Sequence, residues 1–139
     1  MTLQGRCHCG NVMLEFESAS PPVTLEVRAC GCSFCRRHGA RATSDPKGRV
    51  AITVQAPDQL LRYRFGLRTA DFLVCARCGI YVAAVMAEEG ASYATVNVNV
   101  LAASDEFGPA TPVVYEGETE AERRARRRAR WSPATVAVR

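Results

Sequence analysis

The chain has 139 residues, which suits one domain with a hydrophobic core of its own. Hydrophobic residues make up 47% and charged residues 23%, the balance of a soluble globular protein, and no apolar run nears the ~20 residues that a membrane span requires. The net charge of +4 is carried almost wholly by arginine, since Lys47 is the only lysine; arginine suits bidentate recognition of carboxylate or phosphate, and a GC-rich genome produces the same bias.

Met1 to Arg6 reaches a cysteine before any signal-like apolar stretch forms, which predicts a cytoplasmic protein whose thiols stay reduced. Cys7-His8-Cys9-Gly10 follows. From Asn11 to Glu17 the apolar residues Val12, Leu14 and Phe16 alternate, so a strand is predicted there. Pro21-Pro22 breaks the chain, and Val23 to Ala29 is a second predicted strand leading into Cys30-Gly31-Cys32-Ser33-Phe34-Cys35. One short helical turn is predicted over Cys32 to His38, and a loop over Gly39 to Arg49. Short strands are predicted at Val50 to Val54, Leu60 to Phe65, Ala70 to Cys75 and Ile80 to Met86, with the segment Cys75-Ala76-Arg77-Cys78-Gly79 joining the last two. After a turn at Glu88-Glu89-Gly90 comes a longer strand, Tyr93 to Leu101. Many short strands with turns between them predict a mainly β domain of antiparallel sheets over residues 1–116.

The remaining segment, residues 117–139, reads as part of the same domain or as an extension of it. Gly117 to Arg130 predicts a polar helix, opened by a capping box of Thr119 and Glu122. Glu120 with Arg124 and Glu122 with Arg126 have the favourable i,i+4 spacing. Trp131-Ser132-Pro133 ends the helix. Its arginines, among them Arg123, Arg127 and Arg130, form a run of the kind that can bind nucleic acid. Glutamates just upstream and the lack of interleaved aromatics favour a solvated or intersubunit helix instead.

Seven cysteines in groups of two, three and two carry the chemistry. Thiols one or two residues apart can converge on one tetrahedral metal ion. Pairing seven as disulfides leaves an orphan, whereas four plus three uses them all. Cys9 and Cys78 are each followed by glycine, which lets the turn tighten and brings backbone N–H groups towards sulfur. On that ground Cys7, Cys9, Cys75 and Cys78 are assigned to one closed structural zinc, which would staple two distant parts of the chain. Cys30, Cys32 and Cys35 would hold a second zinc with its fourth position open to water or a substrate thiol. The competing reading is an inert site closed by His8, His38 or a carboxylate.

These residues resemble one family. Gly5-Arg6-Cys7-His8-Cys9-Gly10-Asn11-Val12, then Cys30-Gly31-Cys32-Ser33-Phe34-Cys35-Arg36-Arg37, then Cys75-Ala76-Arg77-Cys78-Gly79 are similar to the glutathione-dependent formaldehyde-activating enzyme (GFA) family, also called the centromere protein V family. The resemblance covers about residues 3 to 101 and implies an Mss4-like fold of twisted antiparallel sheets holding two zinc ions. It implies the same division of cysteines into a structural and a catalytic site. The implied activity is that of a carbon–sulfur lyase, making S-hydroxymethylglutathione from formaldehyde and glutathione; the implied partner is a small thiol or thiol–aldehyde adduct, glutathione among the candidates.

Arg36 and Arg37 could clamp a substrate carboxylate or be two solvated charges. His38 reads as a polar turn residue, with general-base work the alternative. The alternation Val96-Asn97-Val98-Asn99-Val100 places Asn97 and Asn99 on one strand face, where they could line the pocket or meet solvent. Phe72 and Tyr81 read as core. Two rival functions stand beside the lyase: a non-enzymatic zinc module that binds a partner through the arginine helix, and a redox enzyme of the methionine sulfoxide reductase B type, in which a cysteine of the central trio is a redox thiol.

Overall fold

The computed structural model describes residues 1–138. In chain order the strands are β1 (Thr2–Arg6), β2 (Val12–Glu17), β3 (Arg28–Cys30), β4 (Ala42–Thr43), β5 (Arg49–Val54), β6 (Leu60–Tyr63), β7 (Asp71–Cys75), β8 (Tyr81–Glu88), β9 (Ala91–Asn97), β10 (Thr111–Val113) and β11 (Ser132–Val138). Helix α1 (Ser33–His38) follows β3, and α2 (Glu120–Arg130) precedes β11. None of the described helices is long and apolar enough to cross a membrane.

Alternation dictates the first layer. In β2 every second residue is buried, and β5 buries Val50, Ile52 and Val54 from the same side. The two strands pair antiparallel with Leu14 opposite Ile52, so both apolar rows face one core. Strand β8 is buried throughout Tyr81–Met86 because it lies between β7 and β9 with both faces covered. Val82, Val85 and Val96 from this side meet Val12, Leu14 and Phe16 in one cluster.

The mainly β class expected from the sequence is the one observed, with a difference in the pairing. The strands form a mixed sheet running β1-β2-β5-β11-β9-β4-β3-β10, with β6, β7 and β8 branching from β9. Strand β11 runs parallel to β5, with Val136 opposite Ile52, and β10 runs parallel to β3. Through Ser132 and Pro133, β11 also pairs antiparallel with β9, so the end of the chain fills the gap between two parts of the sheet. The strand expected over Val23 to Ala29 is instead a 3₁₀ turn at Pro22–Thr24 followed by the three residues of β3. The longer strand expected up to Leu101 stops at Asn97, where a 3₁₀ turn over Val98–Val100 begins.

Candidate metal centres and the cavity between the second centre and the C-terminal helix

Two hairpin ends are built alike. After β1 the chain turns at Cys7–Gly10, the Cys7 N–H bonding to the Val12 carbonyl at 2.9 Å. After β7 it turns at Cys75–Gly79, the Cys75 N–H bonding to the Ile80 carbonyl at 3.0 Å. Gly10 and Gly79 sit at φ +84° and +81°, a left-handed backbone that residues with a Cβ adopt only under strain. The tightness of each turn brings amides onto sulfur: the Val12 N–H donates to Cys7 Sγ at 3.3 Å.

The four sulfurs of these turns lie within 4.8 Å of one another. Cys7 Sγ is 3.7 Å from Cys9 Sγ, which is 3.6 Å from Cys75 Sγ. A tetrahedral ion with sulfur at about 2.3 Å sets its ligands about 3.8 Å apart, so the donor set fits zinc. A disulfide would need about 2.05 Å, and all seven cysteines are free. Burial holds the Cys7 thiol up at about 11, the Val12 amide opposing it. Cys78 falls to about 6 although burial pushes the other way, because the backbone amides of Cys9 and Ile80 donate to it.

One residue serving this site escaped the sequence reading. Asn11 is buried; its Oδ1 accepts from the Ala56 N–H at 2.7 Å, and its Nδ2 donates to the Ala56 carbonyl and faces Cys75 Sγ at 4.0 Å. It ties the first turn to the chain that flanks the second. Its position just after Cys-Gly was the available signal.

The second centre forms where β3 runs into α1. Cys30 ends the strand, and Cys32 caps the helix, its sulfur accepting the Cys35 N–H at 3.4 Å. Cys35 lies one turn in, facing the core. The three sulfurs lie within 4.8 Å of one another, and no fourth histidine, cysteine or carboxylate joins the group among the described residues. The Cys35 thiol hydrogen-bonds to Cys30, which lowers Cys30 and raises Cys35; burial adds to the rise at Cys35 and opposes the fall at Cys30.

The trio forms part of the wall of a cavity of about 570 Å³, a volume typical of small-molecule sites. Phe65, Phe72, Tyr81 and Trp131 supply much of the apolar lining. Phe34, which precedes the trio's third cysteine, gathers the aromatic side: its ring lies 4.9 Å from Phe72 and 5.0 Å from Tyr81. Phe72 and Tyr81 are therefore packing residues that also line the cavity.

Arg36 lines the cavity and Arg37 does not. His38 is exposed and packs against Phe34 with ring centroids 4.5 Å apart. Asn97 and Asn99 do not line the cavity. The Asn97 amide donates to the Tyr81 carbonyl at 2.9 Å, and its oxygen accepts the Asn99 N–H, which caps the start of the 3₁₀ turn. The Asn99 side chain spans Arg41 and the Gly39 carbonyl.

The C-terminal helix forms the other side of the cavity. Its capping box is present, with Thr119 Oγ1 accepting the Glu122 N–H at 3.1 Å and Glu122 Oε1 accepting the Thr119 N–H at 2.8 Å. Arg124 pairs with Glu120 at the expected i,i+4 spacing. Glu122 is occupied by the cap, so Arg126 pairs with Glu118 instead, at 2.8 Å. The helix is not wholly solvated. Arg127 is buried, and Arg123, Arg126 and Arg127 all face the cavity while Ala121, Ala125 and Ala129 face outwards.

Residues 2–117 match the model of a family described as glutathione-dependent formaldehyde-activating enzyme. No curated protein matches the chain. Among solved structures the chain is similar to a Rhodobacter sphaeroides protein determined as a structural-genomics target: 34% sequence identity, TM-score 0.60, covering 79% of this chain and 99% of that one.

Proposed function

The chain belongs to the glutathione-dependent formaldehyde-activating enzyme family, and on that premise we propose that it is a zinc-dependent carbon–sulfur lyase acting on a thiol–aldehyde adduct, S-hydroxymethylglutathione-like in chemistry. Cys7, Cys9, Cys75 and Cys78 would hold a structural ion, and Cys30, Cys32 and Cys35 a catalytic one.

One contrast supports the reading: four converging sulfurs would fill every position of a tetrahedral ion at the first centre, whereas three sulfurs edge a 570 Å³ cavity at the second. When bound there, zinc supplies Lewis acidity that keeps a thiol deprotonated near neutral pH. The chain's own groups do the rest. Phe65, Phe72 and Tyr81 give the reacting centre an apolar wall, and Arg36 stands at the cavity wall beside the trio. In the synthetic direction a thiolate sulfur adds to the aldehyde carbon, a C–S bond forms and the carbonyl oxygen takes a proton. The lyase direction breaks that bond and returns thiol and aldehyde.

Cys32→Ser tests this, because serine keeps an oxygen acceptor for the Cys35 N–H while removing a thiolate. Metal content and the exchange of formaldehyde with glutathione and smaller thiols would be measured together. The expected result is two ions per chain and catalysed exchange for the wild type, with one ion and only the uncatalysed rate for the variant. Equal inactivity of both proteins over a broad thiol and aldehyde panel would remove the lyase assignment.

A further inference from the structure

Helix α2 is turned against the usual rule. A surface helix on a globular domain buries its apolar face and exposes its charges. Here Ala121, Ala125 and Ala129, four residues apart, are exposed, while Arg123, Arg126 and Arg127 point into the cavity they share with the cysteine trio. All three lie beyond residue 117, where the match to the family ends.

The inward arginines differ in their partners. Arg123 and Arg126 are both satisfied by Glu118, at 3.0 and 2.8 Å, and Arg126 also lies 3.5 Å over the Tyr115 ring. Arg28, on the same lining, is buried, but Ser44, Thr95 and Glu26 engage it. Arg127 has none of this. It is 7% exposed, forms no ion pair among the described residues, and its Nε is a buried donor with no acceptor. Its remaining contacts are Thr69 Oγ1, which accepts from it at 2.7 Å, and the Trp131 ring 4.6 Å away. Burial and the neighbouring arginines lower it only to about 10, so it is cationic at pH 7. A buried, unpaired guanidinium is unfavourable unless an anion completes it.

We propose that Arg127 is the seat for a carboxylate of the substrate, so that the cavity takes an acidic thiol or its aldehyde adduct with sulfur at the cysteine trio and carboxylate at α2. The proposal rests on the trio being the reacting centre. It selects, within the adducts that centre could handle, those carrying a negative charge. Arg127 lines the cavity, and a planar guanidinium offers a carboxylate a fork of two donors.

The test uses 3-mercaptopropionate and its uncharged amide, which share a thiol and differ only in charge, titrated into the full-length metal-loaded protein. Trp131 is the single tryptophan, lines the cavity and lies against Arg127, so its fluorescence reports occupancy. The acid is expected to bind about tenfold or more tightly than the amide, the range of one charge-assisted hydrogen bond. Arg127→Met should level the two, and Arg127→Gln, which keeps a donor for Thr69, should do the same if the methionine variant does not fold. Equal affinity of acid and amide for the wild type would overturn the proposal without any variant. So would a preference that survives in Arg127→Gln. Adduct turnover is followed in parallel: an intact acid preference without turnover supports the carboxylate seat and counts against the lyase reading alone.

Discussion

Cys9→Ser separates a metal staple from a mere cluster of thiols. Cys9 is exposed, whereas Cys7 and Cys75 are fully buried. An exposed cysteine replaced by serine ordinarily changes stability by no more than about 0.5 kcal/mol. If Cys9 is one of four ligands, the same change opens a crosslink to Cys75, 66 residues away. The chain-entropy cost of closing a 66-residue loop is about 4 kcal/mol at 25 °C. Against a domain stability on the order of 10 kcal/mol, that loss is large. The assay is urea unfolding of metal-replete wild type and variant, with bound zinc measured on the same samples. The expected outcome is a loss of up to about 4 kcal/mol, a midpoint lower by roughly 2 M, and one ion fewer in the variant. Stripping the metal from both should bring their midpoints together. A metal-replete variant within half a kcal/mol of wild type, with unchanged zinc, would refute the staple.

Two further expectations concern the frame around the cavity. Arg126 and Arg123 hold the Glu118 carboxyl down at about 2, against an ordinary 4.5. A carboxyl lowered in the folded state stabilises above the unfolded value and loses that effect as pH falls through the folded one. Glu118→Gln should therefore cost about 1–2 kcal/mol at pH 7, solvent screening having reduced the full linkage value, and the difference should fade between about pH 4.5 and 2; a gap that stays constant across that window would contradict the assignment. Gly48 packs its bare Cα against the backbone carbonyl of Glu17, so a Cβ there would overlap the oxygen. Gly48→Ala should cost about 1–3 kcal/mol and lower the melting temperature by several degrees, whereas a change under one degree would show that the backbone between β2 and β5 yields.

Local chemistry was readable wherever the chain bonds to itself nearby. The Cys-Gly turns, the alternation of β2 and the Thr119–Glu122 box each depend on residues within a few positions, and all appear where the sequence places them. Strand β1 buries no residue fully and so leaves a weak pattern. Strand β11 begins Ser-Pro and reads as a tail until its parallel partner β5, some 80 positions earlier, is known. The run Asn97 to Val100 imitates a strand by alternation. What ends it is the Asn97 side chain accepting the Asn99 amide, a local bond that competes with the ladder.

The arginine run shows most plainly where sequence reading stops and why. Arg123, Arg126, Arg127, Arg128 and Arg130 are the same residue type, and neither composition nor spacing says which faces inwards. Helical periodicity, scored by hydrophobicity, turns the alanine stripe to the protein and the arginines to solvent. The observed rotation is nearly the reverse, and its causes are all distant in sequence: Thr69 receives Arg127, Glu88 receives Arg124 and Arg128, and Trp131 at the end of the helix is locked among Ala70, Ala84 and Met86. Once Trp131 is buried, the helical repeat places Arg127, four residues earlier, on the same inner face. The anchoring of one aromatic residue thus sets the charge of the cavity wall, and Trp131→Ala should disturb cavity binding as well as stability, with the preference for 3-mercaptopropionate over its amide, read by calorimetry because this variant has no tryptophan, lost along with the anchor.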